Sequence, residues 1–156
     1  MRQYGIAALV DIRAIPRSRH NPQFNRVELE RTLPASGIRY VHLDQLGGLC
    51  HGLGRESPNT GWRNAGFRAY ADYMGTDPFR QGIAEFLVLA HDGPAALMCA
   101  EAVPWRCHRS LVADALVARG LIVRDIYDAR RATPHRLTSF ARVTGDRITY
   151  PPEADE

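Results

Sequence analysis

Short apolar runs alternate with stretches of helical periodicity, and this alternation constrains the fold more than any other feature of the chain. Residues 6–12 read Ile-Ala-Ala-Leu-Val-Asp-Ile, a run suited to a buried strand. Residues 38–43 read as a second strand, 95–100 as a third and 121–126 as a fourth. Asn25 stands as an N-cap with Glu28 as its box-like partner, Phe24 and Leu29 are placed to form a hydrophobic staple, and Pro34 ends that helix near Leu33. Phe67, Tyr70, Ala71 and Met74 recur at helical spacing, as do Phe79, Ile83, Phe86, Leu87 and Ala90 after a start at Asp77-Pro78. Leu111, Val112, Ala115 and Leu116 give the buried face of a helix over residues 110–119 that stops at Gly120. Residues 134–141 read as a short helix and 147–150 as a final short strand. The pattern predicts an α/β fold, a mainly parallel sheet of about 4–5 strands with helices on its faces. One domain is expected over residues 1–150, with an acidic, proline-rich, flexible tail over 151–156.

A length of 156 residues suffices for one such domain with a real core. No apolar run approaches the roughly 20 residues that span a bilayer, so no membrane partner is expected. Residues near Met1 do not read as a secretion signal. The cysteines, Cys50, Cys99 and Cys107, are few and odd in number, which points to a cytoplasmic protein with reduced thiols rather than a disulfide framework. All 20 residues counted as Lys+Arg are arginine. Codon bias explains their number but not their clustering, and guanidinium pairs bidentately with phosphate or carboxylate.

In a parallel sheet the segments that follow the strands share one edge, where open α/β sheets take their ligands. After the first strand, Arg13, Arg17 and Arg19 alternate with Pro16, Ser18 and His20, which gives either a solvated basic loop or a preorganised anion site. Asp11 either orients a guanidinium or caps this loop. Residues 44–65 form a long irregular stretch with Gly47, Gly48, Cys50, His51 and then Gly61-Trp62-Arg63-Asn64. Its glycines serve backbone geometry or let N–H groups approach an anion. Trp62 beside Arg63 either stacks on a base or folds the loop back on the core, so the segment is a candidate ligand or lid element.

The third segment, residues 99–109, is the densest in chemistry: Cys99, Glu101, Arg106, Cys107, His108 and Arg109. Pro104 suits the first position of a helix, which places Cys107 in its first turn, where backbone donors and the helix dipole favour a thiolate. Glu101 orients His108 or caps the helix, and Arg106 and Arg109 bind an anion at the helix start. Cys99 alternatively is a small buried hydrophobe. No cofactor motif is present, so the cofactor is unknown. Cys99, Cys107 and His108 with Cys50 or His51 are a weaker metal alternative, because the CxxC and HExxH spacings of metal sites are missing. The spacing from Cys99 to Arg106 is one residue longer than the Cys-x5-Arg loop of tyrosine phosphatases.

Together, Cys99-Ala-Glu101, Cys107-His108-Arg109, Asp11-Ile12-Arg13, Pro16-Arg17-Ser18, Asn21-Pro22-Gln23-Phe24, Leu46-Gly47-Gly48 and the segment from Gly61-Trp62-Arg63-Asn64 to Tyr70-Ala71-Asp72-Tyr73-Met74 resemble the family catalogued as domain of unknown function 488. The resemblance covers nearly the whole chain. It implies an α/β fold and a site with the paired cysteines, without an established reaction. Members usually begin with a further strand, Thr-Ile-Gly-His-Ser, and a helix ahead of the Gly5-Ile6 region. Their lack here is expected to expose a sheet edge or groove, which a homodimer would cover.

Two function classes follow. The first is a thiol-dependent enzyme acting on a phosphate-bearing or otherwise anionic small molecule, with Cys107 or Cys99 as nucleophile, His108 as proton carrier, Glu101 as its orienter, and arginines holding substrate charge. The second is a nucleotide or nucleic-acid binding module using the same arginines and Trp62, with structural cysteines. A metal-binding regulatory protein ranks below both.

Overall fold

The computed structural model describes residues 5–13, 25–47, 53–99, 108–126, 131–145 and 147–152. Its first half runs β1 (Ala8–Asp11), α1 (Arg26–Ala35), β2 (Arg39–His42), α2 (Ala65–Tyr73), α3 (Asp77–His91) and β3 (Ala95–Met98). Then come α4 (Arg109–Ala118), β4 (Arg124–Ile126), β5 (Ala132–Pro134), β6 (Arg142–Thr144) and β7 (Arg147–Thr149). Single 3-10 turns lie at Asp44–Leu46 and Gly54–Glu56.

The main sheet has the order β2-β1-β3, all parallel, with Ala8 opposite both Arg39 and Ala95. β1 is apolar up to its closing Asp11 and buried along its whole length, which fits its central place. Alternate side chains of β1 enter opposite faces. Val10, followed by Ile12, packs with Tyr70, Phe79, Ile83 and Leu111 on one side. Leu9 packs with Leu29, Leu33 and Ile38 under α1 on the other.

The chain is therefore α/β, but the described residues give the parallel sheet three strands. Gly120, at φ +85°, turns the chain after α4. Only Arg124–Ile126 of the expected fourth strand is extended, and it pairs antiparallel with β5. His135 holds it away from the main sheet: its N–H donates to the Val123 carbonyl at 2.9 Å and its Nδ1 meets Asp125 Oδ2 at 3.0 Å. Residues 135–138 are irregular, not helical. Here Asp114 of α4 takes the Thr138 N–H at 3.2 Å and its hydroxyl at 2.6 Å, so a side chain captures a backbone donor a helix would need. The final strand has a partner, since β6 and β7 form a second antiparallel pair.

At α1, Asn25 occupies the N-cap without a side-chain cap bond, and Glu28 pairs instead with Arg31 at 2.6 Å. Phe24, and with it the staple, lies outside the described residues. Pro34 sits inside α1, which reaches Ala35 before Gly37 (φ +76°) reverses the chain. Its missing N–H costs one bond in the last turn.

Asp72 of α2 organises the described part of the stretch after β2. It accepts from Leu53 N–H (2.8 Å), Ser57 Oγ (2.5 Å) and Asn59 Nδ2 (2.7 Å). Asn59 Oδ1 in turn accepts from Tyr150 N–H at 2.8 Å. Gly61 donates its N–H to the Tyr150 carbonyl at 2.8 Å, and a Cβ there would stand 2.5 Å from the Pro151 oxygen. No helix among the described residues is long and apolar enough to cross a membrane.

Candidate functional site

Parallel strands deliver the ends of β1, β2 and β3 to one edge, and His108 ties the segments beyond them together. It occupies the N-cap of α4, its carbonyl accepting from Leu111 and Val112 N–H. Its Nε2 lies 3.1 Å from the Leu46 carbonyl after β2 and 3.3 Å from the Ile12 carbonyl after β1. Carbonyls only accept, so Nε2 carries the proton. Burial pushes the His108 pKa down and the neighbouring Arg109 charge adds to this, against the two carbonyl bonds. The imidazole is 4.7 Å from the Tyr70 ring, and Tyr70 donates its hydroxyl to the same Leu46 carbonyl at 2.9 Å.

A second cluster closes the end of β1. Asp11 is fully buried and accepts from Arg13 N–H (3.0 Å), Arg13 Nε (2.9 Å), Arg13 Nη2 (2.6 Å) and the Tyr40 hydroxyl (2.5 Å). Burial opposes its charge, but the Arg13 and Tyr40 hydrogen bonds hold its carboxyl below the usual range. Burial and the adjacent carboxylate push the Tyr40 hydroxyl pKa up. Beside them, Arg26 Nη1 lies 3.2 Å from His42 Nδ1 and His42 Nε2 lies 2.6 Å from the Arg13 carbonyl. Since Arg26 can only donate, Nδ1 accepts and Nε2–H donates to the carbonyl.

Of the residues singled out by sequence, Cys99 lies at the carboxyl end of β3, half-buried against the core. It is disulfide-bonded, with its partner outside the described residues, so the expectation of reduced thiols is not met here. Arg13 is held by Asp11, the orienting role. Trp62 packs at 5.2 Å from Phe67 and 4.9 Å from Phe140, so it folds its loop onto the core. Arg63 is exposed. Gly47 is buried at an ordinary φ of −70° and needs no left-handed backbone. Arg109 opens α4, where burial pushes its pKa down against the attraction of Asp125. Arg17, Arg19, Gly48, Glu101, Arg106 and Cys107 lie outside the described residues, as do Cys50 and His51. Among the described residues no group of three or more His, Cys, Asp or Glu side chains could hold a metal ion.

Sequence reading passed over Tyr40, His42 and Arg26. Tyr40 and His42 stand two apart on one strand and so share a face, the one legible signal of their joint role.

The family model described as domain of unknown function DUF488 matches residues 1–116. The chain belongs to the DUF488 family. The DUF488 match takes in all three strands of the parallel sheet and most of α4, and ends before β4. Both His108 and the Asp11 cluster therefore fall within the DUF488 portion. No curated protein and no solved structure matches the chain.

Proposed function

We propose that this DUF488 protein is a thiol-dependent enzyme acting on a phosphate-bearing or otherwise anionic substrate at the carboxyl edge of its parallel sheet. The observation that carries this reading is the pair of His108 Nε2 contacts, which draw the segments beyond β1 and β2 to the start of α4. Cys99 follows the third strand on the same edge, and Cys107 precedes α4 by two positions in sequence. Backbone donors and the dipole at a helix start stabilise a thiolate and an incoming anion alike. Cys107 is the proposed nucleophile, with Cys99 as its alternative. Arg106 and Arg109 supply positive charge. His108 becomes a positioning residue, because its Nε2–H is engaged by two carbonyls.

The Cys99 disulfide adds a condition: the working enzyme is the reduced one, as in a cytoplasm where glutathione and thioredoxin keep thiols free. The binding-module alternative loses support from two of its residues. Arg13 is engaged by Asp11, and Trp62 is packed among aromatic rings.

Alkylation by iodoacetamide after reduction, followed separately at Cys50, Cys99 and Cys107 by mass spectrometry across pH, tests the reading. The expected outcome is one fast thiol, at Cys107 or Cys99, with a rate midpoint below the ordinary thiol value of about 8.5 and protection by inorganic phosphate. Midpoints at or above that value for all three, without phosphate protection, sink it.

A further inference from the structure

Between β3, α3, α4 and the 121–126 segment lies a cavity of about 430 Å³. Its size is that of a pocket for a small molecule. Small side chains leave the space: Ala90 of α3, Ala95 of β3 and Ala113 of α4 all line it.

The wall formed by α4 gives the cavity a direction. Arg109, Ala113 and Leu116 line it, at the i, i+4 and i+7 spacing of one helix face. Arg109 adjoins His108, whose Nε2 meets the Ile12 and Leu46 carbonyls beyond the carboxyl ends of β1 and β2. Leu116 stands two turns on, about 10 Å further along the helix. There Leu121 donates its N–H to the Leu116 carbonyl at 3.1 Å, and Pro94, just ahead of β3, joins the wall. The cavity thus runs beside β3 from a polar end at the carboxyl edge of the sheet to an apolar end at the opposite edge.

The polar end coincides with the proposed site, because Arg109 is one of the residues assigned to the anionic substrate. Its guanidinium is part of a network. Asp125, which also lines the cavity, attracts it and is itself held by His135, at 3.0 Å and 3.2 Å from Nδ1. Arg124, exposed and next to Asp125 in sequence, is the remaining charged residue of the described lining. Towards Pro94 and Leu116 that lining carries no charge, so it offers a hydrocarbon surface and nothing for a second ionic group. A substrate that is only an ion would leave this space unused.

We propose that the anionic substrate carries an apolar body and that the cavity is where this body sits. The ligand class is an alkyl or aryl phosphate monoester, with its head group at Arg109 and its hydrocarbon part along Leu97, Ala113 and Leu116. The inference rests on the reading of Arg109 as a substrate-binding residue, and it narrows the substrate from any anion to an amphiphilic one.

Isothermal titration calorimetry on the reduced full chain tests this with methyl, butyl and hexyl phosphate and with hexanol. Each CH2 that enters the cavity should tighten binding about threefold, so hexyl phosphate should bind roughly thirtyfold or more above methyl phosphate. Hexanol, without the charged head, should bind about tenfold more weakly than hexyl phosphate. Ala113→Phe fills the cavity from α4 and Ala90→Phe fills it from α3. Either should cut the advantage of hexyl over methyl phosphate to about threefold and leave methyl phosphate binding unchanged, with folding checked by circular dichroism and the melting midpoint. Arg109→Gln should weaken methyl and hexyl phosphate alike, by about tenfold. Equal affinity for methyl and hexyl phosphate, in a chain whose thiols phosphate still protects, overturns the apolar body and leaves the anion site standing. Hexanol binding as tightly as hexyl phosphate overturns the link between cavity and head group. A full hexyl advantage in folded Ala113→Phe and Ala90→Phe chains overturns the cavity as its seat, and no binding of hexyl phosphate at millimolar concentration overturns the proposal outright. A climbing length series in a chain whose thiols all titrate at ordinary values sustains the ligand assignment and overturns the catalytic reading alone.

Discussion

Asp11 shows how one side chain can be read twice from the same sequence. Its position at the end of an apolar strand marks a carboxylate that must find donors, and Arg13, two residues on, was legible as one of them. Tyr40 was not, because it arrives from a separate strand whose register with β1 is set by tertiary packing. The four hydrogen bonds make the charge tolerable at zero exposure. Asp11→Asn should cost about 3 kcal/mol, since it leaves a buried guanidinium without its countercharge. Urea denaturation at neutral pH measures this. The carboxyl is held below its unfolded value, so its stabilisation is present above about pH 4 and is lost as pH falls through the lowered native value. The Asn variant should lack that acid limb. The surroundings of His108 were not legible, because the two carbonyls that meet its Nε2 lie 62 and 96 residues away along the chain.

Elements with a local cause were the legible ones. The parallel strands and the helices α2, α3 and α4 follow from apolar period alone, and Pro78 sits in the first turn of α3 as expected. The segment after β5 failed for a physical reason: its donors go to Asp114, a buried carboxylate on another helix. A lone aspartate inside the apolar face Leu111–Leu116 was the only hint. The loop before α2 offers a sharper test. Gly61 approaches the backbone at Tyr150 and Pro151 so closely that a Cβ would meet carbonyl oxygens at 2.5 Å and 2.7 Å. Backbone cannot step aside as a side-chain end can. Gly61→Ala should destabilise the chain by about 2–3 kcal/mol, the cost of an overpacked core, seen as a lower urea midpoint with an unchanged slope. Loss of amide protection should concentrate at residues 59–62 and 147–150.

For the molecule as a whole, two histidines set opposite limits on stability. His108 is half-buried with a lowered pKa, so the unfolded chain takes up its proton first and stability falls as pH drops below about 6.5. Burial acts against the charge of His135 too, but its bonds to Asp114 at 2.8 Å and Asp125 at 3.0 Å outweigh that and raise its pKa. Its contribution is complete below about pH 6.5 and is lost as pH rises through the raised native value. The melting midpoint should therefore peak near pH 6.5, with His108→Gln flattening the acid side and His135→Gln the alkaline side. The parallel sheet also sets a timetable. Ala8 pairs with Arg39 and with Ala95, so one neighbour of the central strand lies 87 residues further along the chain. At roughly 5–20 residues per second, synthesis leaves β1 with one edge bare for about 4–17 seconds. During that interval the most deeply buried strand of the finished sheet is a nascent ribbon in need of shelter, and the ribosome-bound chain, more than the finished fold, is where a chaperone has work to do.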